Sequence, residues 1–160
     1  MKCLSIQQPY ATAIVRGLRS YEGRSWRTGY TGPLLIHAGK QNYEGSETRF
    51  HGGQKWLVAA YGDVGIPHPI AHGAIVGVVW LDGMGANSTG DYWYWELSRP
   101  QEFRVIVPWR GRQKLFEVTP EEVEALAADG HVVDELRAIL ERGRIIERMS
   151  DPRLVIPGDA

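Results

Sequence analysis

Residues 74–82, with the sequence AIVGVVWLD, constrain the fold more than any other part of the chain. β-Branched and aromatic side chains dominate this segment, and such residues favour extended structure. Because apolar residues occupy both odd and even positions, we expect a strand that is buried on both faces, in the middle of a sheet. The run is interrupted by Gly77 and is too short to cross a bilayer, so no membrane partner is expected.

Further strands are predicted on either side of this segment. Short apolar or alternating runs mark them at residues 2–6, 34–38, 92–97, 103–107 and 114–118. In the 92–97 segment, alternation places Tyr92, Tyr94 and Glu96 on one face and two tryptophans on the other. These rings either pack inside the fold or form a platform on which bases stack. Residues 83–90, rich in Gly, Ser and Asn, are predicted to form a loop.

Two helical patterns are predicted in the first half of the chain. A short helix is expected between Pro9, which suits the first helical turn, and Gly17, which suits the end. Gln7 and Tyr10 would lie at its N-terminus, where free backbone amides attract anions. A second helical pattern covers residues 44–61, although two adjacent glycines within it should split or kink that helix.

A helical hairpin is predicted at the C-terminal end. Thr119-Pro120-Glu121-Glu122 has the pattern of a capping box at a helix start, and Gly130 marks the helix end. The following segment carries apolar residues at helical spacing. We therefore expect a helical extension over residues 119–150, packed on the rest of the protein, and then a mobile tail at residues 151–160.

The net charge of −1 hides an uneven distribution along the chain. Residues 1–60 carry eight Lys or Arg and three acidic residues, whereas residues 119–160 carry five Arg and ten acidic residues. The basic first part predicts a localised surface that attracts anions, with modest and salt-sensitive affinity for nucleic acid. The acidic helices either face water or reduce or cover this basic surface.

The basic residues are concentrated in the segment GLRSYEGRSWR at residues 17–27. Arg19, Arg24 and Arg27 surround a single carboxylate there, and strand alternation places Glu22 and Arg24 on one face. The planar guanidinium group suits phosphate or carboxylate, so an anionic ligand is one interpretation. The alternative is a surface hairpin held by salt bridges, without any ligand.

No metal or cofactor is expected. Cys3 is the single cysteine, which excludes an internal disulfide, and no Cys/His cluster has the spacing of a zinc site. Both Cys3 and His37 are interpreted as residues that pack within the fold. The N-terminus carries no signal-peptide pattern, so a cytoplasmic location is expected.

Two ordered sets of motifs carry a family resemblance. The first set is CLSIQQPYA, GLRSYEGRSW and GPLLIHAGK, and the second is HGAIVGVVWLDG, WELSRPQEFRV and WRGRQKLFEV. In order and spacing these motifs resemble the ASCH domain, the activating signal cointegrator homology family, over residues 2–118. The EGRSW motif after the first helix is similar to the cointegrator branch of the family.

The resemblance implies an α+β fold, namely a PUA-like small β-barrel with flanking helices. An ASCH domain would cover residues 1–118, with the helical hairpin as an addition. The resemblance also implies a module that interacts with RNA or other nucleic acid, in RNA handling or transcription regulation.

The predicted partner is therefore RNA, single-stranded nucleic acid or a nucleotide, held in a basic cleft. Phosphate contacts are predicted for four cations: Arg19, Arg24, Arg27 and Lys40. Base stacking is predicted for Tyr10 and Trp26. Ser5, Gln7 and Glu22 are predicted to line the same cleft, with Ser5 and Glu22 bonded to the base or holding the arginines.

A hydrolase is the alternative, because some family members are amidohydrolases on acylated cytidine or ribonucleases. Their G-x-K-x-x-T motif places its lysine and threonine on Arg19 and Glu22 of this chain. Arg19 cannot lose its proton, although it could stabilise an oxyanion. Glu22 could act as a base, and the neighbouring arginines are expected to keep it ionised. A protein-interaction module that uses the aromatic and helical surfaces is a third interpretation.

Overall fold

The computed structural model describes residues 1–59 and 62–149. The predicted tail at residues 151–160 lies outside the described residues. In chain order the elements are β1 (Lys2–Gln8), α1 (Tyr10–Val15), β2 (Tyr21–Arg24), β3 (Gly32–Asn42), β4 (Ser46–His51), β5 (Gln54–Ala59), β6 (Gly62–Pro67), β7 (Ala74–Ala86), β8 (Trp93–Pro108), β9 (Leu115–Glu117), α2 (Pro120–Ala128) and α3 (Asp134–Met149).

Six strands form one mixed sheet in the order β2-β8-β7-β3-β1-β9. β1 and β3 run parallel, whereas the other neighbouring pairs are antiparallel. β7 lies inside this sheet, and its residues from Ala74 to Val79 are all buried. The prediction of a central strand buried on both faces is confirmed, and the fold is mixed α+β with a core made largely of sheet.

The predicted small β-barrel is not closed. Within residues 1–59 and 62–149, no backbone ladder joins the two edge strands, β2 and β9. β2 has four residues and β9 has three, and β9 pairs with β1 only between Lys2 and Leu4. Edge strands this short leave the remaining edge of β1 without a strand partner, so the sheet stays open.

Both long strands exceed their predicted lengths. β7 continues to Ala86, through part of the predicted 83–90 loop, and β8 joins the predicted 92–97 and 103–107 strands into one strand of 16 residues. Register shifts between β7 and β8 absorb the irregular segment, in which Arg99 adopts a φ of 49°. The sequence Ser-Arg-Pro at residues 98–100 predicts the end of a strand. Pairing with β7 nevertheless extends β8 through these residues.

The helix predicted over residues 44–61 is also wrong where the structure describes this region, at residues 44–59. β4, β5 and β6 instead form a separate antiparallel sheet in that order. Gly52 and Gly53 link β4 to β5 with φ angles of 57° and 79°. Positive φ at both positions is typical of the tight hairpin turn that twists with its strands. Turn chemistry therefore outweighs the helical periodicity.

The predicted first helix is confirmed as α1. Its residues Ala11, Ile14 and Val15 are buried, and they pack in one hydrophobic cluster with sheet residues such as Leu4. The helix ends at Val15, two residues before Gly17, whose φ of 73° suits the left-handed position after a helix end.

The C-terminal helices are also found as predicted. Thr119 Oγ1 accepts a hydrogen bond from the Glu122 amide at 3.3 Å, and the Glu122 carboxylate accepts one from the Thr119 amide at 3.1 Å. Leu136 and Leu140 of α3 are buried in one cluster with Phe103 of β8. None of the three helices described combines the length and the apolar character that crossing a membrane requires.

We expect Gly77→Ala to destabilise the fold and Gly83→Ala, in the same strand, to have little effect. A Cβ atom at Gly77 would lie 2.8 Å from Cγ1 of Val15 and against the carbonyl oxygen of Gln101, whereas nothing lies within 4 Å of one at Gly83. Overpacking of this kind costs about 1–3 kcal/mol. Chemical denaturation would give both free energies of unfolding, and equal values would contradict the expectation.

Candidate functional site

A cavity of about 380 Å³ lies between β2 and the second half of β1. Its walls combine two arginines, one carboxylate and three tyrosines with backbone and small side chains. The lining residues are Ser5, Ile6, Gln7, Tyr10, Arg19, Glu22, Gly23, Arg24, Tyr43 and Tyr92.

The cavity lies where the sheet is open, between β2 and the part of β1 beyond Leu4, and we call this opening the seam. The carbonyl of Met1 accepts a hydrogen bond from the Val118 amide at 2.9 Å, so the odd-numbered residues of β1 direct their backbone groups toward β9. β9 pairs with β1 only as far as Leu4. The carbonyl of Ser5 therefore has no strand partner, and Nη2 of Arg24 donates a hydrogen bond to it at 2.8 Å. A side chain of β2 thus bridges to β1 where a ladder would have closed a barrel.

Arg24 also holds the carboxylate of the site. Its Nη2 lies 3.0 Å from Oε1 of Glu22, and the predicted placement of these two residues on one face is confirmed. The Nε atom of Arg24 is buried and has no hydrogen-bond partner among the residues described. A buried donor without an acceptor is unfavourable, so this Nε atom lowers the stability of the folded site.

Arg19 is held differently. Its guanidinium carbon lies 4.3 Å from the ring centroid of Tyr10 and 4.1 Å from that of Tyr21, and its Nε donates to the Tyr21 carbonyl at 3.0 Å. No acidic group forms an ion pair with Arg19 within residues 1–59 and 62–149. The stacked rings fix the position of the cation while its charge remains available to a ligand.

Burial controls the protonation of Glu22. The residue is only 8% exposed. Burial raises the pKa of the Glu22 carboxyl above its ordinary value, and the positive charges of Arg24 and Arg19 oppose this shift without cancelling it. Desolvation therefore penalises the charged form more strongly than the two arginines favour it, and the ionised state expected for Glu22 stays a prediction.

The tyrosines define the remaining walls. The rings of Tyr10 and Tyr43 meet edge to face with centroids 5.3 Å apart. The Tyr92 ring lies directly on the backbone of Gly23, where a Cβ atom would be 2.6 Å from Cε1 of that ring. Only glycine leaves room for this approach, so Gly23 shapes the cavity.

Six of the nine predicted site residues line this one cavity, and three do not. The Trp26 ring packs edge to face against buried Trp95, with centroids 4.7 Å apart. The Arg27 guanidinium lies over the Trp93 ring at 5.3 Å. Lys40 is exposed near the end of β3. β2 ends at Arg24, so the alternation that places Glu22 and Arg24 in the seam does not continue to Trp26.

Two tyrosines of the cavity are not among the predicted site residues. Tyr43 lies just before the segment 44–61 that is predicted as a helix, and Tyr92 is predicted on the same face as Tyr94 without a link to Arg24. The pairing of Gly23 with Tyr94 brings the start of β8, and with it Tyr92, next to β2. A glycine between two charged residues in a short strand is the local signal that a large ring approaches the backbone there.

The predicted anion attraction at the N-terminus of α1 is not available. The Oε1 atom of Gln8 accepts a hydrogen bond from the Thr12 amide at 3.0 Å, and its Nε2 donates to Thr12 Oγ1 at 2.8 Å. A buried side chain of the protein therefore occupies this helix end.

The packing roles predicted for Cys3 and His37 are confirmed. Cys3 is buried, and burial raises the pKa of its thiol, which leaves it unreactive. His37 Nε2 lies 3.0 Å from the Trp109 carbonyl, which can only accept, and Nδ1 lies 3.0 Å from Ser5 Oγ. Burial lowers the pKa of His37. No group of three or more potential metal ligands occurs in the described part of the chain.

The ASCH domain family model matches residues 4–106. This range is more than half of the chain, so the protein belongs to the ASCH domain family. Activating signal cointegrator 1 of Mus musculus is 29% identical over 129 residues, covering 72% of this chain and 22% of that protein. The Homo sapiens protein of that name is 29% identical over 133 residues, with the same coverage. The chain therefore spans less than a quarter of the length of these relatives.

A solved structure of ASCH from Zymomonas mobilis is also similar. It aligns with a TM-score of 0.48 and 13% sequence identity, over 79% of this chain and 93% of that chain.

We expect the buried Glu22 carboxylate to make stability depend on pH. A carboxyl whose pKa is higher in the folded state than in the unfolded state favours folding when it is protonated, and this contribution is lost as pH rises through the folded pKa. The free energy of unfolding of the wild-type protein should therefore fall relative to that of Glu22→Gln as the pH rises above 4.5, the ordinary value.

Urea denaturation of both proteins across this pH range would measure that difference. Glu44→Gln, at an exposed glutamate, is the matched control and should follow the wild-type protein at every pH. A difference between wild type and Glu22→Gln that stays constant, or that grows in favour of the wild type, would contradict the dominance of burial.

Proposed function

We propose that this protein binds RNA, single-stranded nucleic acid or a nucleotide in the seam cavity, with Arg19 and Arg24 at the phosphate. The observation that carries the proposal is a pair of fixed guanidinium groups in one hollow. Arg19 has no acidic partner in the described ranges, and Arg24 lines the same cavity with one of its nitrogen atoms beside Glu22. Guanidinium groups favour an anionic group with several oxygen atoms, such as phosphate.

The size and the walls of the cavity suit one nucleotide. A volume of about 380 Å³ falls within the range of about 300–1,000 Å³ that is usual for small-molecule sites. The Tyr10 and Tyr43 rings offer aromatic surface for a base, and such stacking is worth about 1–3 kcal/mol. Gln7 is exposed on the same wall and offers both a donor and an acceptor to a base edge.

The net charge of the cavity argues for modest affinity. Glu22 balances one of the two arginines, so the lining carries a single excess positive charge when this carboxyl is ionised. Binding that neutralises few phosphates depends on salt with a shallow slope. Membership of the ASCH family supports nucleic acid as the partner, and a role in RNA handling or transcription regulation is part of the proposal.

We expect Arg19→Ala to weaken binding of a short single-stranded RNA about tenfold at about 50 mM salt, because a charge-assisted contact to phosphate is worth about 1.5–3 kcal/mol. Fluorescence anisotropy with a labelled RNA would measure the dissociation constants. Arg142→Ala, at an exposed arginine of α3, is the matched control and should bind as the wild type does. Equal losses in both variants, or no binding by the wild type at low salt, would contradict the proposal.

The raised pKa of Glu22 favours a hydrolase as the second candidate. A carboxyl whose pKa is shifted toward neutrality can transfer a proton more effectively than an ordinary one, and Arg19 lies in the same cavity to stabilise developing negative charge. In such a reaction Glu22 would take a proton from the attacking water. Acylated cytidine or an RNA phosphodiester would be the substrate.

For the hydrolase, we expect turnover of acylated cytidine or short RNA that disappears in Glu22→Gln and persists in Glu44→Gln. Chromatography of the reaction products would detect it. Turnover that survives Glu22→Gln would exclude Glu22 as the base, and binding without any turnover would leave the binding function as the complete account of the cavity.

A further inference from the structure

Three tyrosines outside the core form an exposed aromatic strip beside the cavity. Tyr21, Tyr92 and Tyr94 are 42%, 37% and 44% exposed. In the β2–β8 ladder Gly23 pairs with Tyr94 and Tyr21 pairs with Glu96, which places Tyr21 and Tyr94 on the same outer face of the sheet. We call Tyr21, Tyr92 and Tyr94 the tyrosine strip.

The strip is continuous with the cavity. Tyr94 meets Tyr21 edge to face with centroids 6.1 Å apart, and it meets Tyr92 in the same way at 5.6 Å. Tyr92 itself lines the cavity, and Arg19 stacks on Tyr21 at 4.1 Å from the other side. A ligand that leaves the cavity at either residue therefore arrives on an aromatic surface.

Core packing does not account for these rings. On the inner face of β8, Trp95 is fully buried and Leu97 nearly so, and these side chains supply the hydrophobic contacts of the strand. The outward tyrosines remain about two-fifths exposed side by side, and contiguous exposed aromatic surface of this kind marks an interaction site. The stacking platform that the sequence left open is thus assigned to the tyrosines and not to the tryptophans.

Charge indicates which partner covers the strip. Arg19 and Arg24 stand at its cavity end, whereas Glu96 is exposed beside Tyr21 on the outer face. Phosphates are attracted to the first pair and repelled by the carboxylate. A polyanion with flat apolar bases would therefore follow the rings from the cavity over Tyr92 to Tyr94, and its path would end before Glu96, the next residue on that face.

We propose that the tyrosine strip binds the nucleotides that follow the one in the cavity, so that the ligand is a single strand of several nucleotides. This inference rests on the proposed function. Bases of a single strand expose their faces for stacking on aromatic side chains, whereas those of a duplex do not. The cavity holds one nucleotide at its phosphate, and the strip adds affinity with each further base.

The test compares a nucleoside monophosphate with single-stranded oligonucleotides of increasing length. Direct anisotropy gives the affinity of labelled oligonucleotides, and competition gives that of the monophosphate. We expect affinity to rise from the monophosphate to a tetranucleotide. Tyr94→Ala should weaken the tetranucleotide about fivefold or more and leave the monophosphate unchanged, since stacking is lost from one base. Tyr94→Phe retains the ring and should bind the tetranucleotide like the wild type.

Two controls separate this inference from the proposed function. Phe50→Ala removes a ring that is 76% exposed on the separate three-stranded sheet, and it should change neither affinity. Arg19→Ala should weaken both ligands. If Arg19→Ala weakens both while Tyr94→Ala weakens neither, the strip does not bind nucleic acid and is left as a surface for a protein partner, whereas the cavity assignment stands.

If neither ligand responds to Arg19→Ala, the proposed function fails and this inference fails with it. Binding of a duplex as tightly as of the single strand would overturn the stacking role, because paired bases cannot stack on the tyrosines. Unchanged thermal unfolding of the Tyr94 variants would show that any loss of affinity is not a loss of fold.

Discussion

The hydrogen bond from Arg24 to the Ser5 carbonyl is the contact on which the site depends, because it joins two strands that no ladder connects. β9 stops pairing with β1 at Leu4, and backbone groups beyond that point need another partner. A guanidinium group at the end of a long side chain satisfies one of them and keeps the two strands apart. Had a backbone ladder closed the sheet there, its strands would have filled the space that is now the cavity.

The same contact divides the roles of the two arginines. Nη2 of Arg24 contacts both Ser5 and Glu22, so part of the charge of Arg24 and the donors of this nitrogen are committed to the fold. Arg19 is fixed by stacked rings and a neutral carbonyl, which position it without neutralising it. The effects of changing the two arginines should therefore not be additive, since loss of Arg24 would also leave Glu22 as an unpaired buried charge.

Sequence patterns within a few residues predicted those strands, helix starts and strand faces that depend on neighbouring residues alone. The β-branched segment from Ala74, the capping box at Thr119 and the shared face of Glu22 and Arg24 each follow from periodicity or capping within a few residues. The open seam could not be predicted in this way, because it depends on where β9 stops pairing with a strand far away in sequence. Trp26 illustrates the same limit: it follows Arg24 closely, yet the end of β2 returns it to the core.

The acidic C-terminal extension neutralises an arginine beside the cavity and so helps to determine where unpaired positive charge lies. Arg112 is adjacent to the seam, since its carbonyl lies 3.2 Å from Ser5 Oγ, and its guanidinium pairs with Glu122 of α2 at 2.8 Å. Among the described residues none of α2 or α3 lines the cavity, so the described parts of these helices do not cover it. They neutralise a neighbouring arginine instead, and the cation that remains without an acidic partner in the described lining is Arg19. An overall charge near zero is therefore compatible with a specific anion site, because acidic groups balance the arginines around it and leave one uncompensated inside it.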